Sequence, residues 1–558
     1  MPDLIRNARR WISGLKPVRV PDAPSRSFKD LWPGEAARGA RLVAGELDVL
    51  GTVRALEPGT PEQLGIGWAP GDGPLLWRAH AHGFGWLRDL RALGTDAARV
   101  RARDLAHDWL ANGASQDLAQ APEVAGARIS AWLGHWDFLA ASADDGFRRA
   151  LLTRLALDGR AVVAGLPAEA AHRGALVVLK AGIAVAVALE EEGWLNRALR
   201  LLPGELERQF FPDGGHVERS PAQHLAALQD LIEIRNLLHG ASANTPAQLG
   251  GVIERACQAL RFYRHQDGGL ALFNGTRDEP ATLVDLVLHH GQARGRAPML
   301  LQDTGFHRMQ GSRTLVIVDC GAPPPGRAPD LTTGLPRAGD RFAHASTMSF
   351  ELSVGRDRLI VNCGASPAAE PVWRDALRAT AAHSTLTLAD TNSSELREEG
   401  LGRRPERVVP ERQEQDHAHW LEITHDGWRK PFGAIHRRTL YLAEGGDDLR
   451  GEDVVELPGG ITETLSWVVR FHLHPGVSAS LVEDDGAVLM RLPSGHGWRL
   501  RARGARIGLE ESVYAAAETR RSQQIVLYAE PDAEAVRWAV SRVVAGGTDA
   551  PPVEGAQG

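Results

Sequence analysis

The chain has 558 residues, too many for one hydrophobic core, so two or three domains are expected. Apolar residues make up 43% and charged residues 24%, the balance of a soluble globular protein. A formal net charge of -7 argues against nucleic acid or an anionic membrane as the main partner.

Arginine is abundant and lysine rare, so most cations are planar forks suited to carboxylates, sulfates or phosphates. A GC-rich genome would produce the same bias. Three cysteines, Cys257, Cys320 and Cys363, lie far apart and form neither a disulfide framework nor a CxxC metal knuckle. The N-terminus, MPDLIRNARRWISGLKPVRV, has no continuous apolar core of a secretory signal. Leu4 to Leu15 reads as a solvated terminal helix or a short basic amphipathic one. No apolar run is long enough to span a bilayer, and the expected compartment is cytoplasmic.

In chain order, residues 1–30 read as a tail and 31–300 as helices. FGWLRDLRALGTDAARVRARDLAHDWLAN places Trp86, Leu90, Leu93, Ala97 and Val100, and then Leu105 and Trp109, at three- and four-residue spacings within each group, with Gly94 between two helices. The same texture recurs through GFRRALLTRLALDGRAVVAGL, GALVVLKAGIAVAVALEEEGWLNRALRLLPGELERQFF and AQHLAALQDLIEIRNLLHG. Consecutive amphipathic helices with short turns pack as antiparallel hairpins. No fixed period repeats, so a closed toroid of hairpins is expected rather than a solenoid.

Near residue 300 the pattern changes. RTLVIVDCG, TMSFELSVGRDRLIVNCG, HRRTLYLAEGGDDLRGEDVVEL and SQQIVLYAE are short Val-, Leu- and Thr-rich runs between Gly, Asp and Pro turns. They predict an antiparallel β-sandwich over 301–545, followed by a disordered tail, 546–558. The fold class is therefore α+β multidomain, an N-terminal (α/α) toroid followed by a C-terminal sandwich. A cleft between two such domains suits a long ligand.

Several clusters carry possible chemistry. FPDGGHVERSPAQH puts His216, Glu218, Arg219 and His224 around a turn, and Ser220–Pro221 opens a helix whose free N–H groups favour anions. His172 precedes another helix. In the β region, His344, Asn362 and His383 sit at predicted strand ends. They could bind zinc or simply face the cleft as polar groups. Asn274 and Arg277 occupy a Gly-rich turn. Fifteen tryptophans stand against four tyrosines, and a few lining a groove would offer platforms for sugar rings.

LLWRAHAHGFGWLRDLRALG, PDGGHVERSP followed by H, RHQDGGLALFNG, HASTMSFEL, and AAHSTLTL followed by NSSE occur in an order that resembles the heparinase II/III-like polysaccharide lyases. The resemblance implies β-elimination of uronic-acid glycans. The uronate carboxylate is neutralised, a base removes the C5 proton and an acid protonates the leaving O4. In the family an Asn or His does the first task, and a Tyr with a His moves the protons. Here the Asn-His pair falls on Ala171 and His172, and the tyrosine falls on Gln223, whose amide cannot exchange protons at neutral pH.

Three readings stay open. In a divergent lyase, His216, His224 or His383 replaces the tyrosine, while Arg219 or His172 neutralises the carboxylate. Gln223, Asn274, Arg277, Arg374 and Arg378 would then contact substrate. Alternatively, the protein binds an acidic polysaccharide or oligosaccharide without cutting it, or hydrolyses one with Glu218 and a second carboxylate. No cofactor is certain. The resemblance would put a family metal site, with zinc its possible occupant, at His344, His383 and Asn362, the last replacing a carboxylate. A homodimer is possible. The reading expects His216 and His383 to meet across the domain junction.

Overall fold

The helix Arg173–Ala188 is buried at Leu176 and at every position from Val178 to Ala188. A helix apolar on all sides must be enclosed on all sides. It packs against Pro122–Gly134, Asp145–Ala164, Glu192–Gln209 and Pro221–Gly240. Pro221–Gly240 in turn packs on Ala247–Phe262 and Ala281–Gly291. The computed structural model describes residues 20–26, 28–49, 52–55, 75–168, 173–324, 326–329, 336–338, 340–365, 371–398, 400–457, 465–482, 486–515 and 519–543. The expected terminal helix, the C-terminal tail, Ala171 and His172 lie outside them.

These helices form the (α/α) toroid. One feature of the helical half departs from the sequence reading. Glu46–Val49 and Thr52–Ala55 form a β-hairpin. Leu47 and Val49 alternate inward with period two, which the long helical surroundings mask. Trp77, Trp86, Trp132 and Trp136 are buried and Trp194 partly so, which makes them core rather than sugar platforms.

The C-terminal half is a sandwich of two antiparallel sheets. Among the described residues one sheet has nine strands, running from Ala505–Ala515 through Thr519–Ala529 and Trp467–Leu473 to Phe306–Gly311 and Leu300–Leu301. The other has eight, with Val408–Gln415 at one edge and Ser478–Val482 at the other. Met309, Val316, Phe350, Leu440, Leu449 and Trp538 fill the space between them. The toroid core continues into the first strands through Phe306, Leu315 and Ile317.

Two turns of the same design fasten the halves together. Both follow a long helix with Asp-Gly-Gly, at residues 213–215 and 267–269. Asp213 accepts from the Gly215 N–H (3.0 Å) and from the Thr304 N–H and hydroxyl (2.7 and 2.6 Å). Asp267 accepts from the Gly269 N–H (2.8 Å) and pairs with Arg358 (2.8 Å). Thr304 and Arg358 both belong to the β half. Gly214 has φ +88°, and a Cβ there would collide with the Arg255 backbone, so only glycine fits.

Candidate functional site

The first turn delivers the FPDGGHVERSPAQH cluster to the junction. The Ser220 hydroxyl caps Pro221–Gly240, accepting from the Gln223 N–H. Successive side chains then face different surroundings. The His216 Nε2–H donates to Gln209 Oε1 (2.9 Å), and the ring is fully buried. The Glu218 carboxylate accepts from the Arg173 N–H (3.3 Å) at the start of the central helix. Burial pushes its pKa up to about 7, partly opposed by Arg173 and Arg341. The His224 Nε2–H donates to the Ala256 carbonyl (2.8 Å), and burial holds the ring's pKa down at about 4. Gln223 stays half-buried at the helix start.

Arg219 is committed to structure. It adopts φ +53°, and its guanidinium donates to the carbonyls of Thr304 (2.6 Å), Ala322 (2.9 Å) and Gly305 (3.1 Å). It pairs with Asp319 and stacks over Phe306. Both charges are buried. This corrects the expectation that Arg219 neutralises a substrate carboxylate, because the guanidinium already holds its anion inside the protein.

Asn274 joins this cluster to the β half. Its Nδ2 donates to the Arg219 carbonyl (2.9 Å), while its Oδ1 accepts from the His344 N–H (3.2 Å). Beyond it, the His383 Nδ1–H donates to the Ala379 carbonyl (2.8 Å), so the His383 Nε2 is an acceptor. It receives His344 Nδ1–H at 3.0 Å. Burial holds both rings neutral, with the pKa of His344 well below the usual value and that of His383 at about 4. The structure therefore connects Arg219, Asn274, His344 and His383 in sequence. His216 turns back onto Gln209 at the end of the preceding helix, so the described bonds do not bring it to His383 as expected.

Among the described residues the pair has no third metal ligand. Asn362 Oδ1 accepts from the Ser384 N–H (3.0 Å), leaving its Nδ2, a donor, without a partner among the described residues. No group of three His, Cys, Asp or Glu suited to a metal occurs among the described residues. Two neutral imidazoles and a committed amide oxygen lack the third ligand that zinc requires.

The remaining candidates divide. Arg277 is mostly buried, 3.9 Å from Glu279. Arg374 donates to the Glu398 carbonyl (2.8 Å). Arg378 is buried and donates to the Arg397 carbonyl (2.8 Å) and to those of Gly400 and Ala343, so it holds loops together. The sequence reading missed Asp319 and Glu351, two acids buried in apolar strands. Glu351 accepts from His265 Nε2–H (2.8 Å) and from the Asn362 (2.9 Å) and Leu272 (3.1 Å) N–H groups. An acid inside an otherwise apolar run, as in VIVDCG and MSFELSV, is the signal that would have found them.

A toroid joined to a sandwich, with the cluster at their junction, is the architecture of a polysaccharide-lyase scaffold. The chain belongs to the heparinase II/III-like family. Residues 173–284 match the heparinase II/III N-terminus and residues 293–540 the heparinase II/III-like C-terminal region. A full-length relative is FtsZ-localized protein C of Caulobacter vibrioides (strain NA1000 / CB15N). It is 31% identical over 566 residues, covering 96% of this chain and 94% of that protein. Among solved structures, heparinase III superposes with a TM-score of 0.73 at 14% identity, covering 96% of this chain and 89% of that one. A heparan sulfate lyase mutant from Pedobacter heparinus gives 0.60 at 15% identity, covering 98% and 89%. At such identities the two structures speak for fold alone. Among the described residues no helix is long and apolar enough to cross a membrane.

Proposed function

We propose that this protein is a non-catalytic member of the lyase fold that works at the division site, as the name of its Caulobacter relative suggests for that protein. The observation that carries the reading is the state of the candidate proton-transfer groups. Glutamine occupies the position that the resemblance gives to tyrosine. His216, His224 and His383 are buried and bonded to the protein's own groups. A general acid or base must reach the proton it moves, and these rings do not face an open cleft. Histidine replacing tyrosine in β-elimination is therefore the weaker reading. Hydrolysis through Glu218 is weaker still, because that carboxylate is buried against Arg173. A cytoplasmic location is part of this proposal.

A second reading is retained binding of an acidic glycan. Arg341, 39% exposed and 3.8 Å from Glu123, favours it as a cation open to solvent beside the Glu218 loop. It requires no catalytic group.

The test has two arms. A fluorescent fusion is imaged with FtsZ, and the purified chain is co-sedimented with FtsZ polymer. Separately, the protein is screened against uronic-acid glycans for near-ultraviolet absorbance of unsaturated product. Co-localisation and co-sedimentation without product are expected. Product abolished by His216→Ala or His383→Ala would overturn the non-catalytic reading. Diffuse fluorescence with no co-sedimentation would overturn the division-site reading.

A further inference from the structure

Behind the Arg219 loop lies a cavity of about 560 Å³, in the range of small-ligand sites. Val217 and Arg219 line it, while Glu218, Gln223, His344 and His383 do not. It opens where the 211–219 loop covers one end of the sandwich. Val408, Pro410 and Arg412 contribute alternate side chains from the edge strand Val408–Gln415, and Phe211 comes from the toroid.

His307 lines this cavity and is 6% exposed. Its Nδ1 is buried without a hydrogen-bond partner among the described residues. A buried polar nitrogen left unpaired is destabilising, and a ligand group at this place removes that penalty. Arg412 supplies charge beside it. The Arg412 Nη1 donates to the Met299 (3.2 Å) and Arg308 (2.8 Å) carbonyls and its Nη2 lies 3.2 Å from His419 Nδ1; the carboxylate paired with that guanidinium, on Glu414, is 3.5 Å away and 52% exposed, whereas Arg219 is matched by buried Asp319. The only acid among the described lining residues is Asp303, which is exposed. The recess therefore sets Arg412 beside His307, with Phe211, Val408 and Pro410 supplying apolar lining.

We propose that this cavity binds a monocarboxylate carried on a compact apolar body. The carboxylate meets His307 beside Arg412, and the apolar part lies among Phe211, Val408 and Pro410. A free carboxylic acid and the carboxyl terminus of a polypeptide share this chemistry. The site is independent of the reading given under Proposed function.

Calorimetry on the full chain tests it with three probes: hexanoate, N-acetyl-Ala-Leu with a free carboxylate, and the same dipeptide as its amide. Saturable one-site binding of an acid is expected, and the tighter of the two acids identifies the source. The amide should bind about tenfold more weakly or worse. His307→Leu should weaken the acid by a similar factor. Val408→Trp, which fills the cavity from an edge strand, should abolish binding and serves alone if the first variant does not fold. The proposal is overturned by no saturable binding of either acid, by equal binding of the amide, or by wild-type affinity in a folded variant.

Discussion

The His344 ring donates from Nδ1 to His383 Nε2 at 3.0 Å, and His383 passes the same polarity on to the Ala379 carbonyl. Two imidazoles that motif reading offers as metal ligands thus satisfy each other. Asn362 explains why. Its amide oxygen is neutral and already accepts from the Ser384 N–H, so Asn362 supplies no anion to hold a cation against the pair.

Zinc should accordingly leave the wild-type melting temperature unchanged. Asn362→Asp places a carboxylate beside two neutral imidazoles and completes a three-ligand set. In that variant zinc should raise the melting temperature, and a chelator should reverse the shift. A zinc-dependent rise in the wild type would contradict the bonding scheme.

Acid should unfold the protein early. His224, His307 and His383 are held at about 4 and His472 at about 3, against an ordinary value of 6.5. Burial of the neutral ring is the leading cause in each. The folded state therefore binds fewer protons than the unfolded chain between those values, and stability rises with pH. The contribution is fully present above about 6.5 and is lost as pH falls towards 4, by up to about 3 kcal/mol for a ring shifted this far. Urea unfolding between pH 7.5 and 4.5 should show a falling midpoint, and His383→Phe should flatten part of that slope.

Breaking the Arg219–Asp319 pair from one side strands a buried charge. Arg219→Met should destabilise by about 3–5 kcal/mol, and so should Asp319→Leu. The double variant should be more stable than the sum of the two losses predicts, because neither charge is left alone. Denaturant titration of the four proteins measures the coupling directly.

The paired Asp-Gly-Gly turns should govern whether the halves unfold together. Asp213→Ala removes three accepted hydrogen bonds, and Asp267→Ala removes the Arg358 pair. Each should lower stability by about 1–3 kcal/mol. With both in place, calorimetry should resolve two transitions where the wild type shows one. Gly215→Ala should be as damaging as Asp213→Ala, since its Cβ would collide with the Thr304 side chain.

Much of the fold is legible in the sequence because burial writes a period into it. Leu225, Leu228, Leu231, Ile234 and Leu238 mark one helix, whereas Leu421 and Ile423 mark a strand by alternation. The Glu46–Ala55 hairpin is too short to interrupt a helical reading on either side. The site is harder. Sequence names residue types, but the partners that decide their roles are often main-chain carbonyls. Thr304, Gly305, Ala322, Ala256, Ala343 and Ala379 accept hydrogen bonds from four of the candidate side chains with their backbone, which no motif encodes.

The separate fastenings at Asp213, Asp267 and Asn274 have a mechanical consequence. A body clamped at one place can swing, but one clamped at several must break a clamp before it rocks. The junction between toroid and sandwich is thus a fixed joint, and any rocking of one half on the other demands rupture of a fastening rather than a gentle bend.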